Sequence, residues 1–463
     1  MTTKECDTIV IGGGFAGLVA AREVGHAGHD VVLLEGRDRL GGRTWYKDDA
    51  LPGRTLELGG GWVHWLQPHV FAEITRYGFE LAETPGFTTP GEIRYVTGHQ
   101  RKVARYDELW PVIDDAVTRF CSGARDILER PYEPLAKEAL SSIDGLSVQD
   151  RIDQLDLSSE QRDLLNALWS GCCSARCSEG GLVAMLRWYA LAGWDTGLMF
   201  DAVQRYKLKT GTSSLVEAIA GDGRAEIRLS SPVSAVEQDV AGVTVTTRSG
   251  ERLRARTAIV TVPLNTLGRI RFAPQLSSVK TAAGRQGQAS HGLKFWVEVR
   301  GDLPEPLLAL APDDHPIQDL STEELLPDGQ LLVGFGRDAA ALDVSDVEAV
   351  TPAVRTLLGD VEVVATTGHD WLADEFSRGT WPVFRPTQTV RCLSGLQAPE
   401  ENVFFAGSET ANGWNGFIDG AIESGLRAAR EVRCRLAIPA NFRLLNRSVQ
   451  ADNAARVVAE VPA

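Results

Sequence analysis

The chain has 463 residues, enough for two or three domains with substantial cores. Its hydrophobic fraction of 43% and charged fraction of 24% are ordinary for a globular protein, and its formal net charge of −15 argues against nucleic acid or an anionic membrane as a partner. No stretch approaches the about 20 apolar residues that span a bilayer, and a polar start leads directly into the first apolar run, so we expect no secretory signal and a cytoplasmic protein.

The first 43 residues contain the most specific pattern. The β-branched run Thr8-Ile9-Val10-Ile11 predicts a buried strand, and Gly12-Gly13-Gly14-Phe15-Ala16-Gly17 follows it at once. A helix-compatible stretch (18–25) then leads to a second apolar strand (31–34), which ends at Glu35. This order is typical of dinucleotide binding, because the glycines let backbone approach a pyrophosphate at the helix N-terminus while the acid accepts hydrogen bonds from a ribose.

Three further segments favour FAD over NAD. Gly36-Arg37-Asp38-Arg39-Leu40-Gly41-Gly42-Arg43 adds guanidinium groups and bare backbone amides, both of which suit a pyrophosphate. Leu56-Glu57-Leu58-Gly59-Gly60-Gly61-Trp62 is another place where backbone can lie close to a ligand. An apolar strand (403–407) runs into Ser408-Glu409-Thr410 and a helical pattern over 422–436. Because a NAD site is normally built within one local unit, this late return to the cofactor fits the longer FAD.

The rest of the chain alternates between helical and strand patterns. Residues 85–225 are predicted to be largely helical, and the aromatic-rich segment 182–206 is expected to form cavity walls. Residues 226–265 predict a β-meander with Gly250 at a hairpin, and 270–370 mix strands with a helix over 346–358.

These patterns predict an α/β (mixed α+β) fold built from interleaved segments. A Rossmann-like FAD-binding domain of the glutathione-reductase type comprises residues 1–80, 226–275 and 371–437, and a substrate-binding domain of mixed sheet and helices comprises 81–225 and 276–370. Residues 438–463 form a C-terminal tail. We expect the ligand to bind in the crevice between the two domains.

The seven cysteines are an odd set, and Cys172-Cys173-x-x-x-Cys177 matches no zinc-binding pattern. We therefore expect reduced thiols and no metal.

Four motifs, in this order, resemble the flavin-containing amine oxidase (monoamine oxidase) family. They are Gly12 to Gly17 with Glu35, Gly41-Gly42-Arg43, Gly59-Gly60-Gly61-Trp62-Val63, and Ala406-Gly407-Ser408-Glu409-Thr410 continuing to Gly420-Ala421. The resemblance covers residues 5–437. Three runs, 62–70, 261–265 and 412–414, are most similar to the bacterial branch that contains cyclohexylamine oxidase, nicotine oxidase and pseudooxynicotine amine oxidase.

The resemblance implies FAD contacts at the positions that match the family's motifs. These are Gly12, Gly14, Phe15, Ala16, Gly17, Glu35, Gly36, Arg37, Gly42, Arg43, Gly60, Gly61, Trp62, Val233, Trp371, Gly407, Ser408, Glu409 and Ile418. Trp371 falls where the family packs a tryptophan beside the isoalloxazine. Thr380, in Ser377-Arg378-Gly379-Thr380-Trp381, stands where monoamine oxidases have the cysteine that links FAD covalently, so the FAD here is expected to be non-covalent.

The resemblance also implies the catalytic residues Lys294, Trp381 and Phe417. Lys294 falls where the family holds a water against flavin N5, and a lysine in the middle of an apolar strand is costly unless it is hydrogen-bonded. Trp381 and Phe417 fall where the family places two aromatic cage residues in front of the flavin.

The function implied is oxidation of a hydrophobic cyclic or aryl-alkyl amine to an imine by hydride transfer to flavin N5. The imine is then hydrolysed to an aldehyde or ketone, O₂ is reduced to hydrogen peroxide, and a homodimer is a further expectation from the family. Four alternatives stay open: an amine dehydrogenase with another electron acceptor, an amino-acid oxidase, a C–C desaturase of the same fold, and a non-catalytic FAD scaffold. An amino-acid oxidase needs an arginine in the cavity, for which the candidates are Arg187, Arg205, Arg337 and Arg385.

Overall fold

The computed structural model describes residues 4–87, 91–304 and 306–437, and the predicted C-terminal tail (438–463) lies outside the described residues. The strands are β1 (Lys4–Ile11), β2 (Val31–Leu34), β3 (Tyr46–Leu51), β4 (Arg54–Glu57), β5 (Leu81–Glu83), β6 (Glu92–Thr97), β7 (Gln100–Arg105), β8 (Tyr206–Leu208), β9 (Glu226–Arg228), β10 (Val233–Asp239), β11 (Gly242–Thr247), β12 (Arg252–Val260), β13 (Arg271–Ala273), β14 (Leu293–Arg300), β15 (Leu307–Leu310), β16 (Asp319–Leu326), β17 (Gly329–Gly336), β18 (Glu362–Gly368) and β19 (Val403–Phe405). The α-helices are α1 (Phe15–His26), α2 (Pro68–Tyr77), α3 (Tyr106–Phe120), α4 (Ala124–Ile127), α5 (Val148–Asp153), α6 (Ser159–Cys173), α7 (Leu182–Leu191), α8 (Thr196–Gln204), α9 (Gly211–Asp222), α10 (Leu264–Leu267), α11 (Ser278–Gln286), α12 (Val347–Leu358), α13 (Gln388–Gln397) and α14 (Ile418–Ala437).

The first sheet joins strands from the beginning, the middle and the end of the chain. Its order is β13-β10-β11-β12-β1-β2-β9, and β19 also pairs with β12. β1 is parallel to β2 and β12, whereas β10, β11 and β12 form an antiparallel meander with Gly250 at a φ of 88° between the last two. The predicted strand–glycine–helix–strand unit and the mixed α/β class are therefore confirmed. The meander was predicted to begin at residue 226, but β9 pairs in parallel with β2 and the meander begins at β10.

Helices cover both faces of this sheet, which explains why its parallel strands are apolar without alternation. On one face, α1, α9 and α14 share a core with Val10, Leu33 and Ile259. On the other face, α11 and α13 lie over Ile9 and Ile11. This layering holds the β1–α1 turn, where the glycine run lies, between rigid elements.

The second sheet has the order β18-β14-β17-β16-β15-β6-β7. Alternation along β14 places Phe295 and Val297 in a core with α12, while Trp296 packs with Phe335 on the opposite face. The prediction of a largely helical 85–225 missed the β6–β7 hairpin. β6 pairs in parallel with β15, and this partner lies so far along the chain that no local periodicity signals the pairing.

Five helices form a third core, which includes residues of β6 and β15 of the second sheet. α3, α5, α6, α7 and α8 contribute most of its buried side chains, Trp169 and Phe120 among them. The domain boundaries stay a prediction, and α9, which they assign to the substrate domain, packs against α1. Within the described ranges, none of the helices combines the length and apolar character of a bilayer-spanning segment.

Candidate active site

A cavity of about 700 Å³ is lined by residues of both sheets and of α3, α6, α7 and α8. Most of the residues predicted from the sequence line it. They are Gly12, Gly14, Phe15, Ala16, Glu35, Gly36, Arg37, Gly42, Arg43, Gly60, Gly61, Trp62, Val233, Lys294, Trp371, Trp381, Gly407, Ser408, Phe417 and Ile418. Residues that are far apart in sequence thus meet around one space.

Gly17 and Glu409 are the two predicted residues that do not line the cavity. A Cβ on Gly17 would lie 2.0 Å from the carbonyl oxygen of Gly12, so this glycine allows α1 to pack against the turn. Gly12 itself has a φ of +110°, a backbone conformation that residues other than glycine rarely adopt. Glu409 pairs with Arg43, and Arg43 lines the cavity.

The N-terminus of α1 opens into the cavity as an anion site. Its N-cap, Gly14, supplies no side-chain hydrogen bond, and the first turn contains no acid. The amides of the first turn and the helix dipole are therefore available to a phosphate group. Glu35, at the end of β2, is held in place because its carboxylate accepts hydrogen bonds from the backbone amides of Gly13 at 2.6 Å and Arg37 at 2.8 Å.

Arg43 ties together three segments that are distant in sequence. Its guanidinium lies 2.8 Å from the carboxylate of Glu409 and donates hydrogen bonds to Ser408 Oγ at 3.2 Å and to the carbonyl of Thr380 at 3.1 Å. Glu409 is 4% exposed. Its carboxylate is therefore almost fully removed from water, and Arg43 is the group that neutralises it. Arg43 retains 20% exposure toward the cavity.

Arg37 and Arg39 have different surroundings. Arg37 lines the cavity and pairs with Asp374 at 2.5 Å. Arg39 lies 4.6 Å from the centroid of the Trp45 ring and donates to the carbonyls of Leu40 and Thr44, so it stabilises the loop instead of facing the cavity. Burial lowers the pKa of Arg39 to about 10, and the positive charge of Arg37 adds to the effect.

Lys294 extends from β14 toward the cavity and is 4% exposed. Its ammonium nitrogen donates to the carbonyl oxygens of Glu57 and Gly59, both at 2.8 Å, and lies 4.3 Å from the centroid of the Trp62 ring. Two acceptors for three N–H donors leave one donor for a molecule in the cavity. The structure therefore supplies the hydrogen bonds that a lysine at this position requires.

The electrostatics of Lys294 are unusual for a lysine. Burial lowers its pKa to about 7, the carboxylate of Glu57 opposes this shift, and Lys207 adds to it. Burial raises the pKa of Glu57, although its carboxylate accepts a hydrogen bond from the amide of Trp45 at 2.7 Å. Lys294 is thus close to the balance between its charged and neutral forms near neutral pH.

Trp381 and Phe417 stand in two separate groups of aromatic rings. Trp381 lies edge to face with Phe335 at a centroid distance of 5.8 Å, and its indole N–H donates to the carbonyl of Cys172 at 2.9 Å. Phe417 lies edge to face with Trp188 at 4.9 Å and with Trp414 at 5.2 Å. Both rings are fixed by their neighbours while still lining the cavity.

Trp371 and Thr380 also face this space. The indole N–H of Trp371 donates to the carbonyl of Leu58 at 2.9 Å, which fixes the ring against the Leu56–Trp62 segment. Thr380, which stands at the predicted covalent-link position, donates from its hydroxyl to Ser174 Oγ at 2.9 Å. A threonine hydroxyl lacks the thiolate chemistry that a cysteine would bring there.

The four arginines considered for a carboxylate clamp are engaged elsewhere. Arg187 donates to the carbonyls of Ala411 and Asn412, Arg337 donates to that of Asp313, and Arg385 lies 3.7 Å from Glu179; none of these three arginines lines the cavity. Arg205 does line it but pairs with Asp201 at 2.8 Å. Three of these four arginines thus lie outside the cavity lining, and Arg205, which lines it, already has a carboxylate partner.

Asp319 is a cavity residue that the sequence analysis missed. It is the first residue of β16, whose sequence carries no motif, and only the pairing of β16 with β15 and β17 brings it to the cavity. Glu57 was also missed as a functional group, although its neighbourhood Leu56 to Trp62 was recognised as a place of close backbone approach.

Comparison with known proteins identifies the family and the fold. The family model described as flavin containing amine oxidoreductase matches residues 15–433. A pseudooxynicotine dehydrogenase from Pseudomonas sp. is 41% identical over 92% of this chain and 86% of its own length, and a nicotine dehydrogenase from Pseudomonas putida is 40% identical over 92% and 88%. The solved structure of cyclohexylamine oxidase from Brevibacterium oxydans has the same fold, with a TM-score of 0.76 and 22% identity over 94% of this chain and all of that one.

Proposed function

The chain belongs to the flavin-containing amine oxidoreductase family, and we propose that it oxidises a hydrophobic cyclic or aryl-alkyl amine to an imine. The observation that carries this proposal is one continuous cavity that reaches from the uncapped N-terminus of α1 to Lys294, Trp381 and Phe417. Water hydrolyses the imine to an aldehyde or ketone. The family assignment makes the protein an oxidoreductase with FAD as its cofactor.

The residues present fit FAD. The open amides of α1 suit its pyrophosphate, and the carboxylate of Glu35 lies at the end of β2 where a ribose is expected. Trp371 and Gly60 border the part of the cavity next to Lys294, where the ring system would lie. Bound FAD supplies the two-electron oxidant that takes a hydride equivalent from the carbon next to the amine nitrogen.

The chain's own groups orient the amine. Trp381 and Phe417 would hold it between their rings, and the apolar surroundings disfavour an ammonium, so that its nitrogen lone pair becomes available. Lys294 would hold a water through its remaining N–H. The walls that Trp110, Leu168 and Phe200 contribute suit a hydrophobic amine body.

Trp381→Ala is expected to lower turnover by about 100-fold while leaving FAD occupancy within twofold of the wild type. The ring aligns the amine but lies outside the glycine-rich segments that would hold the cofactor. The ratio of flavin to protein absorbance and steady-state rates check both parts. Val383→Ala, a nearby buried apolar truncation outside the cavity lining, serves as the control for loss of packing. Unchanged turnover in Trp381→Ala would show that the aromatic pair is misassigned.

O₂ is the electron acceptor we propose, with hydrogen peroxide as its product. A dehydrogenase with another acceptor is the second candidate, because the two relatives at about 40% identity are both named dehydrogenases. Anaerobic mixing with cyclic, aryl-alkyl, N-methyl and polyamine substrates, followed by air, separates the two. Bleaching by an amine supports amine oxidation, and fast return of colour with peroxide supports O₂. Slow return supports the dehydrogenase, and bleaching by dithionite alone would contradict the amine proposal.

FAD is proposed to be bound without a covalent link, because Thr380 stands at the linking position. Acid precipitation of the holoprotein is expected to leave all yellow colour in the supernatant. Thr380→Ser, which keeps a hydroxyl, is expected to behave in the same way. Colour that remains in the washed pellet would contradict non-covalent binding.

A further inference from the structure

Glu57 carries a carboxylate that the proposed mechanism does not use. It is the last residue of β4, is partly buried and lies outside the cavity lining. Its carboxylate accepts hydrogen bonds from the backbone amides of Trp45 at 2.7 Å and Gly59 at 3.2 Å, and from the hydroxyl of Thr212. Three donors that meet at one carboxylate favour its charged form, in opposition to burial, which raises the pKa of Glu57.

The first turn of α9 adds to this setting. Thr212 is the second residue of that helix, and the first turn contains no acid of its own. Because a helix N-terminus favours negative charge nearby, it suits the carboxylate of Glu57. Gly61 leaves room for the side chain, since a Cβ there would lie 2.6 Å from Cγ of Glu57. The glutamate side chain is therefore fixed between α9 and the turn that follows β4.

The same turn holds the ammonium of Lys294. The carbonyl oxygens of Glu57 and Gly59 each accept a hydrogen bond from Nζ of Lys294 at 2.8 Å, and the indole N–H of Trp296 donates to the Glu57 carbonyl at 3.3 Å. The Glu57 carboxylate accepts from the amide of Gly59, so one side chain fixes both acceptor residues. A change in the Glu57 side chain therefore reaches Lys294 through the main chain.

The charge of Glu57 also acts on Lys294. Burial lowers the pKa of Lys294 to about 7, the carboxylate of Glu57 raises it, and the charge of Lys207 lowers it. Glu57 is thus the acid that opposes the effects of burial and of Lys207. The titratable groups that surround Lys294 and Glu57 come from several elements; they are Lys207 of β8, Asp319 of β16, Tyr46 of β3 and Arg39 of the β2–β3 connection.

We propose that Glu57 is a positioning residue for Lys294: its side chain fixes the carbonyl oxygens that receive the ammonium, and its negative charge favours the protonated form of that nitrogen. This inference rests on the proposed function, in which Lys294 acts at the cavity. Glu57 lies outside the cavity lining and acts through Lys294.

The test measures the protonation of Lys294 directly. The holoprotein is prepared with lysine that carries carbon-13 at Cε, and the resonance that is absent from Lys294→Met is assigned to Lys294. Its chemical shift is followed against pH in the wild type and in Glu57→Gln. The midpoint of the Lys294 titration is expected to be lower in Glu57→Gln by about one pH unit, because the variant removes the negative charge that favours the ammonium.

Glutamine at this position keeps the shape and the hydrogen bonds. Both backbone amides donate to Oε1 of Glu57, and the hydroxyl of Thr212 meets Oε2. A glutamine oxygen can accept from both amides while its NH₂ group donates to the threonine oxygen. FAD occupancy in Glu57→Gln is therefore expected to stay within about twofold of the wild type, whereas the titration midpoint moves.

Three further variants separate the charge from a structural role. Glu57→Asp keeps the charge, so its midpoint is expected to lie closer to that of the wild type than to that of Glu57→Gln. Thr212→Val removes the hydroxyl donor to the carboxylate and is expected to lower the midpoint by less than Glu57→Gln does. Glu348→Gln removes an exposed charge from α12, on the opposite face of the second sheet from Lys294, and is expected to match the wild type.

Flavin reduction by an amine and reoxidation by O₂ are also followed against pH. The half-reaction that loses its pH limb in Lys294→Met is expected to show that limb at lower pH in Glu57→Gln. A Lys294 midpoint that is not lower in Glu57→Gln, even with loss of FAD or of stability, would overturn the inference. If Glu57→Gln does not fold, an unchanged midpoint in Thr212→Val would overturn it instead. Failure of every amine to bleach the flavin would contradict the proposed function, while the carbon-13 titration, which uses no amine, still decides the role of Glu57.

Discussion

Lys294→Met is expected to leave FAD bound and to slow flavin reduction or reoxidation by about 100-fold. Methionine keeps most of the apolar volume over the Trp62 ring but removes the donors to the carbonyls of Glu57 and Gly59. It also removes the third N–H, which we expect to hold a water. Stopped-flow reduction without O₂ and reoxidation with O₂ measure the two half-reactions separately. Wild-type kinetics in both would remove Lys294 from the catalytic site.

The pH dependence of this effect follows from the lowered pKa of Lys294. Burial brings that pKa to about 7, so the ammonium predominates below it and the neutral amine above it. The ammonium is the form that stabilises negative charge arriving in the cavity with the electrons. The rate that depends on Lys294 is therefore expected to fall as pH rises through about 7 in the wild type. In Lys294→Met this limb is expected to disappear.

A variant of Lys207 tests whether the pH dependence near 7 comes from Lys294. Its positive charge lowers the pKa of Lys294, and it pairs with Glu323 outside the cavity lining. Lys207→Met removes the repulsion and leaves Glu323 without its partner, so the pKa of Lys294 is expected to rise and the limb to move to higher pH. A limb that persists unchanged in Lys294→Met would assign the titration to another group.

The part of the cavity that we propose for the cofactor could be predicted from the sequence because its signals are local. The glycine run from Gly12 to Gly17, with Glu35 at the end of the next strand, requires only neighbouring residues to form one turn. The late segment Gly407 to Glu409 carried its own motif. Lys294, Trp381 and Phe417 were predicted from the family resemblance, because hydrophobic periodicity does not show which side chains face a cavity.

The part of the cavity that we propose for the substrate depends on contacts between distant residues, which one sequence does not reveal. The β6–β7 hairpin joins the second sheet through β15, and Asp319 reaches the cavity through the register of β16. The same limit applies to Arg43. Its guanidinium suits a phosphate, but nothing near it in sequence indicates that it also neutralises Glu409, a residue separated from it by most of the chain.

Arg43→Met is expected to destabilise the protein by about 3 kcal/mol, because it leaves a buried carboxylate without its partner. The same variant is expected to weaken FAD binding by at least about 10-fold, through loss of the charge-assisted contact that we propose between Arg43 and the pyrophosphate. Thermal unfolding of the apoprotein measures the first effect. Titration of the apoprotein with FAD, followed by flavin fluorescence, measures the second.

The double variant Arg43→Met with Glu409→Gln distinguishes the two roles of Arg43. Removing both charges eliminates the uncompensated buried carboxylate, so most of the lost apoprotein stability is expected to return. FAD affinity is expected to stay low, because the guanidinium that we propose as a contact of the pyrophosphate is still missing. Glu409→Gln alone keeps that guanidinium and is expected to bind FAD more tightly than either variant that lacks it. If FAD affinity returned together with stability in the double variant, Arg43 would be a structural partner of Glu409 and not a contact of the cofactor.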